Sequence, residues 1–257
     1  MRTSTTFAAP RGQAARVQAA RVHVARVYAV LAYAAFLAVT LWGVLFLADL
    51  GPAATVDSHR SGPAWSAVVI DVGLWLIFAL QHSVMARAPV KTWLARVVPQ
   101  QVERSTYVLT GSLALGLLFW QWRALPHPVW ELHAEPWTAL IWTVYGLGWA
   151  IAIAATYMIN HWEFSGLRPA APPSPQAPVS ERWLYGWVRH PMMLGLLIAF
   201  WVTPTMTVGH LLFALAATGY IAVGVHFEER DLRRTLGSAY DDYARRVPRF
   251  VPRIGSA

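Results

Sequence analysis

Polar side chains set into apolar sequence are costly to keep there, so each needs a partner or a task. The densest such group begins in LYGWVRHPMMLG, residues 184–195, where Tyr185, Trp187, Arg189 and His190 stand at the threshold of an apolar run opened by Pro191. That run closes on HFEER, with Glu228, Glu229 and Arg230, and is followed by Tyr240, Tyr243, Arg245 and Arg246. If the run is a hairpin, both of its ends reach one membrane surface, and these side chains gather around a single mouth. Such a mouth suits a ligand with a cation, a carboxylate and a flat base. Aromatic faces attract the cation, and arginine meets a carboxylate with paired N–H groups. An aromatic belt with inside-facing arginines accounts for the same residues equally well.

A second set lies upstream. Asp71 sits inside IDVGLWLIF, and Gln81, His82 and Ser83 close the same helix. The step from Asp71 to His82 is close to three whole turns, so the two share a face. For Asp71 a bond to a neighbouring helix and a functional role weigh evenly; for His82 the functional role is favoured over an interfacial ring. Asn160, His161 and Glu163 follow an apolar run directly and read first as a polar helix end. Glu103 and Arg104 read as snorkelling interfacial charges.

The elements that must hold these residues are membrane helices. Of 257 residues, 56% are hydrophobic and 13% charged, with 14 tryptophans and a mean hydropathy of +0.39. A soluble domain carries about a quarter charged residues. Apolar runs cover 27–48, 64–86, 105–122 and 137–159, close to the roughly 20 residues a bilayer crossing needs. Residues 191–225 would form a helix of about 52 Å, too long for one crossing of a roughly 30 Å core. Pro204 interrupts that stretch, so a hairpin breaking near Thr203–Thr207 is expected.

The expected fold is therefore all-α: a polytopic membrane bundle of five or six transmembrane helices, one domain over 27–257, with both termini inside. Its amphipathic C-terminal helical tail, 226–252, should end one helix near Gly237 and restart at Ser238. Residues 1–26 hold Arg2, Arg11, Arg16, Arg21 and Arg26 without an acid and read as a basic arm, disordered or lying at the interface. Pro169, Pro172, Pro173, Pro175 and Pro178 make the middle of 159–183 a loop. The net charge of +8 is almost wholly arginine, Lys91 being the only lysine. Arginines at the ends of apolar runs set orientation in a membrane and do not call for nucleic acid. The absence of cysteine excludes disulfides, a protein thiolate nucleophile and Cys-based metal sites.

VRHPMMLG (188–195) and EERDLRRTLGSAYDDYARRVPRFVP (228–252) together resemble the C-terminal signature of the isoprenylcysteine carboxyl methyltransferase-like membrane enzymes. FALQHSVMAR (78–87), VERSTYVL (102–109), LLFWQWRALP (117–126), INHWEFSGLR (159–168) and FWVTPTMTVGHLLFA (200–214) are similar to the bacterial methanethiol S-methyltransferases. That likeness runs over nearly all of the chain after residue 27. It departs from the expected pattern at Gly186, Trp187, Met193 and His226.

The resemblance implies an S-adenosylmethionine pocket formed mainly by 184–252. Tyr185, Trp187, Val188, Arg189, His190, Leu194, Glu229, Tyr240, Tyr243 and Arg246 would hold the cofactor. Asp71, Gln81 and Asn160 would line the substrate pocket, and His82, His161 and Glu228 are candidates to take a proton from the thiol. The implied reaction is S-methylation of methanethiol to dimethyl sulfide in one in-line displacement, without a metal. No G-x-G-x-x-G follows a predicted strand, so the nucleotide-binding helix–sheet unit of soluble methyltransferases is absent. The expected partners are a small volatile thiol and membrane lipid, with no nucleic acid and no obligate protein partner. The expected location is a bacterial inner membrane. Competing readings are a prenylated cysteine carboxylate or another small thiol as acceptor, or a nicotinamide-dependent sterol-type reductase. A further one is a haem-binding or structural membrane protein using His82, His161, His190, His210 and His226.

Overall fold

A bilayer core offers no water to backbone N–H and C=O groups, so apolar segments must bond within themselves, and helices result. The computed structural model describes residues 11–58, 62–168, 181 and 183–252, and over them the chain is a helical bundle. The expected proline-rich loop at 169–180 and the first ten residues of the basic arm lie outside the described residues.

Among the described residues four helices are long and apolar enough to cross a membrane: α1 (Arg11–Leu47) through its Gln18–Leu47 portion, α2 (Ala64–Met85), α5 (Trp137–Ile159) and α8 (Val208–Leu236). Helix α4 (Gln100–Gln121) equals α2 in length but is more polar, with Glu103, Arg104, Ser105, Thr106, Thr110 and Ser112 along it. It packs against both α1 and α2. Helix α7 (Pro191–Trp201) has only 11 residues, roughly 16 Å of rise, about half of the hydrocarbon core. Prolines start four of these helices: Pro63, Pro99 and Pro136 flank α2, α4 and α5, and Pro191 opens α7. The missing N–H costs nothing there, because first-turn donors have no helical acceptor.

Two features depart from the expectation. The helix runs back to Arg11, so the described part of the basic arm is a continuation of the first span. The all-α bundle also carries a small antiparallel ribbon of β1 (Pro128–Glu131) and β2 (Thr205–Thr207). Thr203–Thr207, where the hairpin was expected to break, is the stretch that leaves helix to form it. The short α3 (Ala88–Leu94) and the single turn α6 (His161–Phe164) complete the membrane part.

Successive reversals give the bundle two unlike ends. One, the ribbon end, gathers the α1–α2 loop, β1–β2 and the C-terminus of α4. The other, the mouth end, gathers the ends of α2, α5 and α8 with the starts of α4 and α7. Helices α5 and α7 touch backbone to backbone: a Cβ on Gly195 would lie 2.5 Å from the Gly148 carbonyl, and one on Gly148 2.8 Å from the Gly195 carbonyl. Small residues permit this approach, which is how membrane helices associate without a hydrophobic drive. Elsewhere the core is aromatic, with Phe46 and Phe213 in ring contact with each other and with both Phe119 and Trp122. The tail is not a separate helix at first. Helix α8 runs unbroken through the acids to Leu236, Gly237 turns the chain at φ +57, and α9 (Ser238–Arg246) folds back.

Candidate active site

At the mouth end, α8 carries Glu229 out of the bundle with its side chain fully buried. Its Oε1 accepts from Arg189 Nε (3.1 Å) and Nη2 (2.8 Å) and from Arg249 Nε (3.1 Å), and lies 3.2 Å from His190 Nε2. Its Oε2 accepts from Arg249 Nη2 at 2.6 Å, and Arg233 stands 3.7 Å away. Arg189 spends its other reach on the C-terminus of α9, donating to the Ala244 and Val247 carbonyls at 2.8 and 2.9 Å. The Arg189 and His190 backbone N–H groups donate to the Pro248 and Arg249 carbonyls. Tyr243 donates its hydroxyl to the Tyr185 carbonyl at 2.8 Å. The threshold of α7 and the tail are thus strapped together around one carboxylate. Its neighbour Glu228 is half exposed and stands 3.7 Å from His190 Nδ1. Glu229 pulls the Arg249 guanidinium further up. Burial raises Tyr185 and pushes Tyr240 and Tyr243 up to about 12, so all three phenols remain neutral.

The Arg189 side chain forms four hydrogen bonds within the protein, so it holds the mouth together. Arg246 is the more exposed arginine: among the described residues it pairs at the rim with Glu181, both side chains being well exposed. Trp187 is 69% exposed, Val188 is buried, and Leu194 lies half-buried in the first turn of α7.

The second wall belongs to α2, α4 and α8. His82 stacks on Phe78 (5.4 Å between ring centroids), lies 4.8 Å from Tyr107 and meets Tyr220 edge-on at 6.2 Å. Its Nδ1 is buried without a hydrogen-bond partner, as is the Gln81 Oε1, although Gln81 Nε2 donates to Thr110 at 2.9 Å. Helix α8 is common to both walls: Tyr220 faces His82, and two turns on, Phe227 lies under the Arg87 guanidinium at 4.6 Å.

Three sequence-predicted site residues sit differently. Asp71 is fully buried near the ribbon end, where Oδ1 accepts from the Arg123 N–H at 2.9 Å. Eleven residues of helix put it about 16 Å along the axis from His82, so it terminates α4 and does not join the mouth. His161 is buried at the mouth end with Nε2 2.9 Å from the Tyr33 hydroxyl and Nδ1 2.8 Å from Thr156; it stacks on Tyr157 at 3.9 Å. Both nitrogens are occupied, and burial lowers its pKa, so it joins α1 to α5 as a neutral ring. Asn160 caps α6 by accepting from the Glu163 N–H.

Residues the sequence did not single out are Tyr107, Tyr220 and Arg249. Tyr107 and Tyr220 look like ordinary apolar-face aromatics, and their meeting at His82 is a tertiary event. Arg249 offered a signal, an arginine just beyond Pro248 in a tail that also carries Glu228 and Glu229. Among the described residues no group of three or more His, Asp or Glu side chains gathers as a metal site.

The NnrU protein family matches residues 72–243. A methanethiol S-methyltransferase of Mycobacterium tuberculosis is 46% identical over 222 residues, covering 84% of this chain and 91% of that protein. Methanethiol S-methyltransferase 2 of Bradyrhizobium diazoefficiens is 46% identical over 225 residues, 86% of each chain. Nurim of Sus scrofa is 34% identical over 180 residues, 63% of this chain and 67% of its own. No solved structure matches the chain.

Proposed function

We propose a function from one premise: this chain belongs to the NnrU protein family. The function is methylation of methanethiol at sulfur, the activity for which its bacterial relatives are named, with S-adenosylmethionine as methyl donor and dimethyl sulfide as product. The observation that carries the reading is His82 Nδ1, a buried ring nitrogen without a protein partner, set among Phe78, Tyr107 and Tyr220.

The residues present fit a sulfonium cofactor. Among the described residues seven buried side-chain polar atoms lack partners, Gln81 Oε1, His82 Nδ1 and the Tyr240 hydroxyl among them, and three aromatic rings surround the imidazole. S-Adenosylmethionine supplies an electrophilic methyl group on a sulfonium sulfur. Phe78, Tyr107 and Tyr220 present π-faces that favour a neighbouring cation. A simple alkanethiol is mostly protonated at neutral pH, and the thiolate is the nucleophile. His82 takes that proton as general base. Gly111 keeps the ring edge uncrowded, since a Cβ there would lie 3.3 Å from Nδ1. Arg246 can exchange Glu181 for a ligand carboxylate, because exposed pairs are worth about 0–1 kcal/mol. Tyr185, Trp187, Val188, His190 and Leu194 form the adjoining lip, and Glu229 fixes its shape through Arg189 and Arg249. Arg16, Arg21, Arg26, Arg87, Lys91 and Arg96 all belong to the mouth end, which on the positive-inside rule faces the cytoplasm of a bacterial inner membrane.

The test is headspace gas chromatography on membranes given methanethiol, with and without S-adenosylmethionine, for the wild type and His82→Asn. Dimethyl sulfide that requires the cofactor and drops about 100-fold or more in the variant is expected. No product with calorimetric cofactor binding would redirect the search to another acceptor. Neither product nor binding would overturn the reading.

A further inference from the structure

Beside this site lies a cavity of about 130 Å³, lined by Met85, Ala86, Lys91, Leu94, Gln100, Glu103, Arg104 and Tyr107. It opens where α2 ends, α3 turns along the surface and α4 begins. Two cations face it. Arg104 is held by the Glu163 and Phe164 carbonyls (3.2 and 3.3 Å) and by the faces of Tyr107 and Phe164 (5.2 and 5.9 Å). Among the described residues no carboxylate comes within 4.0 Å of Arg104 or Lys91, and Glu103, on the cavity wall, and Glu163 act on Arg104 only from farther away. Buried or half-buried guanidinium groups ordinarily meet an anion, and carbonyl oxygens compensate only part of the charge.

The surroundings indicate which anion. Trp93 and Val97, on and just after α3, are 60% and 70% exposed, and Leu80 on the adjoining face of α2 is 61% exposed. Apolar side chains so exposed belong in the acyl region, and tryptophan favours the headgroup level. The cavity therefore opens at the depth of lipid phosphates, with Met85, Leu94 and Tyr107 as apolar walls, half-buried Arg104 inside and exposed Lys91 at its rim. We propose that this α2–α3–α4 cavity binds the phosphate headgroup of an anionic membrane phospholipid, with Arg104 and Lys91 as its counter-charges. Basic recesses between membrane helices hold such headgroups in this way. The occupant would sit one side chain from His82, because Tyr107 lines the cavity and packs against that ring.

The full chain reconstituted in lipid nanodiscs tests this. Wild-type, Lys91→Gln and Arg96→Gln proteins are unfolded thermally at one scan rate in discs of dioleoylphosphatidylglycerol or dioleoylphosphatidylcholine. A ligand that binds the folded state alone stabilises it by mass action. The wild type and Arg96→Gln, a charge-matched control outside the cavity, should unfold about 2–4 °C higher in the anionic lipid, and Lys91→Gln should lose most of that difference. Native mass spectrometry should show retained phosphatidylglycerol on the wild type and its loss from Lys91→Gln. Equal midpoints in both lipids, or equal loss in both variants, would overturn the proposal. So would inorganic phosphate reproducing the shift in phosphatidylcholine discs, since the anion would then come from solution.

Discussion

Two clusters at the mouth end each hold a buried histidine, His190 beside the Glu229 carboxylate and His82 among aromatic rings, and they do opposite things. Around Glu229 every strong acceptor direction is used: two arginines donate to it, His190 touches it, and Arg233 stands behind. Around His82 the polar atoms are left over, with Nδ1 and the neighbouring Gln81 Oε1 buried and unpartnered. A buried polar network that is fully satisfied fixes a shape, whereas an unsatisfied group costs stability and needs another reason to be kept. The contrast separates a charged cluster whose groups bond one another from an uncharged one whose polar atoms are left over, and the proposed function puts the chemistry at the second.

Removing the centre of the satisfied cluster should have the largest effect. Glu229→Ala leaves Arg189, Arg249 and His190 facing one another without an anion, and breaking such a buried pair costs about 3–5 kcal/mol. A fall in thermal midpoint, with the tail becoming accessible to protease, is expected; an unchanged midpoint would erase the distinction between the clusters. His82→Asn should invert that pattern: the midpoint stays near the wild-type value while turnover falls about 10²–10⁴-fold. Arg189→Ala belongs with the first variant and should lose fold and activity together.

Tyr243→Phe removes one hydrogen bond from the strap, the one to the Tyr185 carbonyl. Its cost should be about 0.5–1.5 kcal/mol by denaturant or thermal unfolding, with little change in turnover by a correctly strapped protein. The smallest expected effect lies at the ribbon end. There Asp57 accepts from the Thr207 hydroxyl at 2.7 Å, yet burial pushes its carboxyl up from 3.8 to about 6. The folded state thus keeps a proton that the unfolded state has lost in that window, so stability falls as pH rises from 3.8 to about 6. Asp57→Asn should flatten this slope in thermal midpoints measured across the window; a slope that persists would place the proton elsewhere.

Much of the mouth was legible in the residues. Arg189, His190, Glu229 and Tyr243 do converge, because the apolar run between them is a hairpin and its ends must meet at one surface. What the residues could not reveal is the bonding within that convergence. A ligand-binding arginine and a tail-anchoring arginine have the same composition, charge and position in the chain; only the Ala244 and Val247 carbonyls distinguish them. The same holds for the histidines. His82 and His161 both follow apolar helices, but Tyr33 and Thr156, distant or unremarkable in sequence, occupy both nitrogens of His161. Asp71 shared a helical face with His82 as its spacing required, and yet three turns of rise carried it to the other end of the bundle.

By itself the sequence determined that this is a membrane bundle of helices, where those helices turn, and which polar residues stand out against hydrocarbon. The physical reason is that hydropathy, proline and helical period act locally, and the bilayer imposes the rest. Only the tertiary structure decided which polar atoms are satisfied. Pairing depends on side chains brought together from α1, α4, α8 and the tail, and it is this pairing that separates the clamp around Glu229 from the open imidazole of His82.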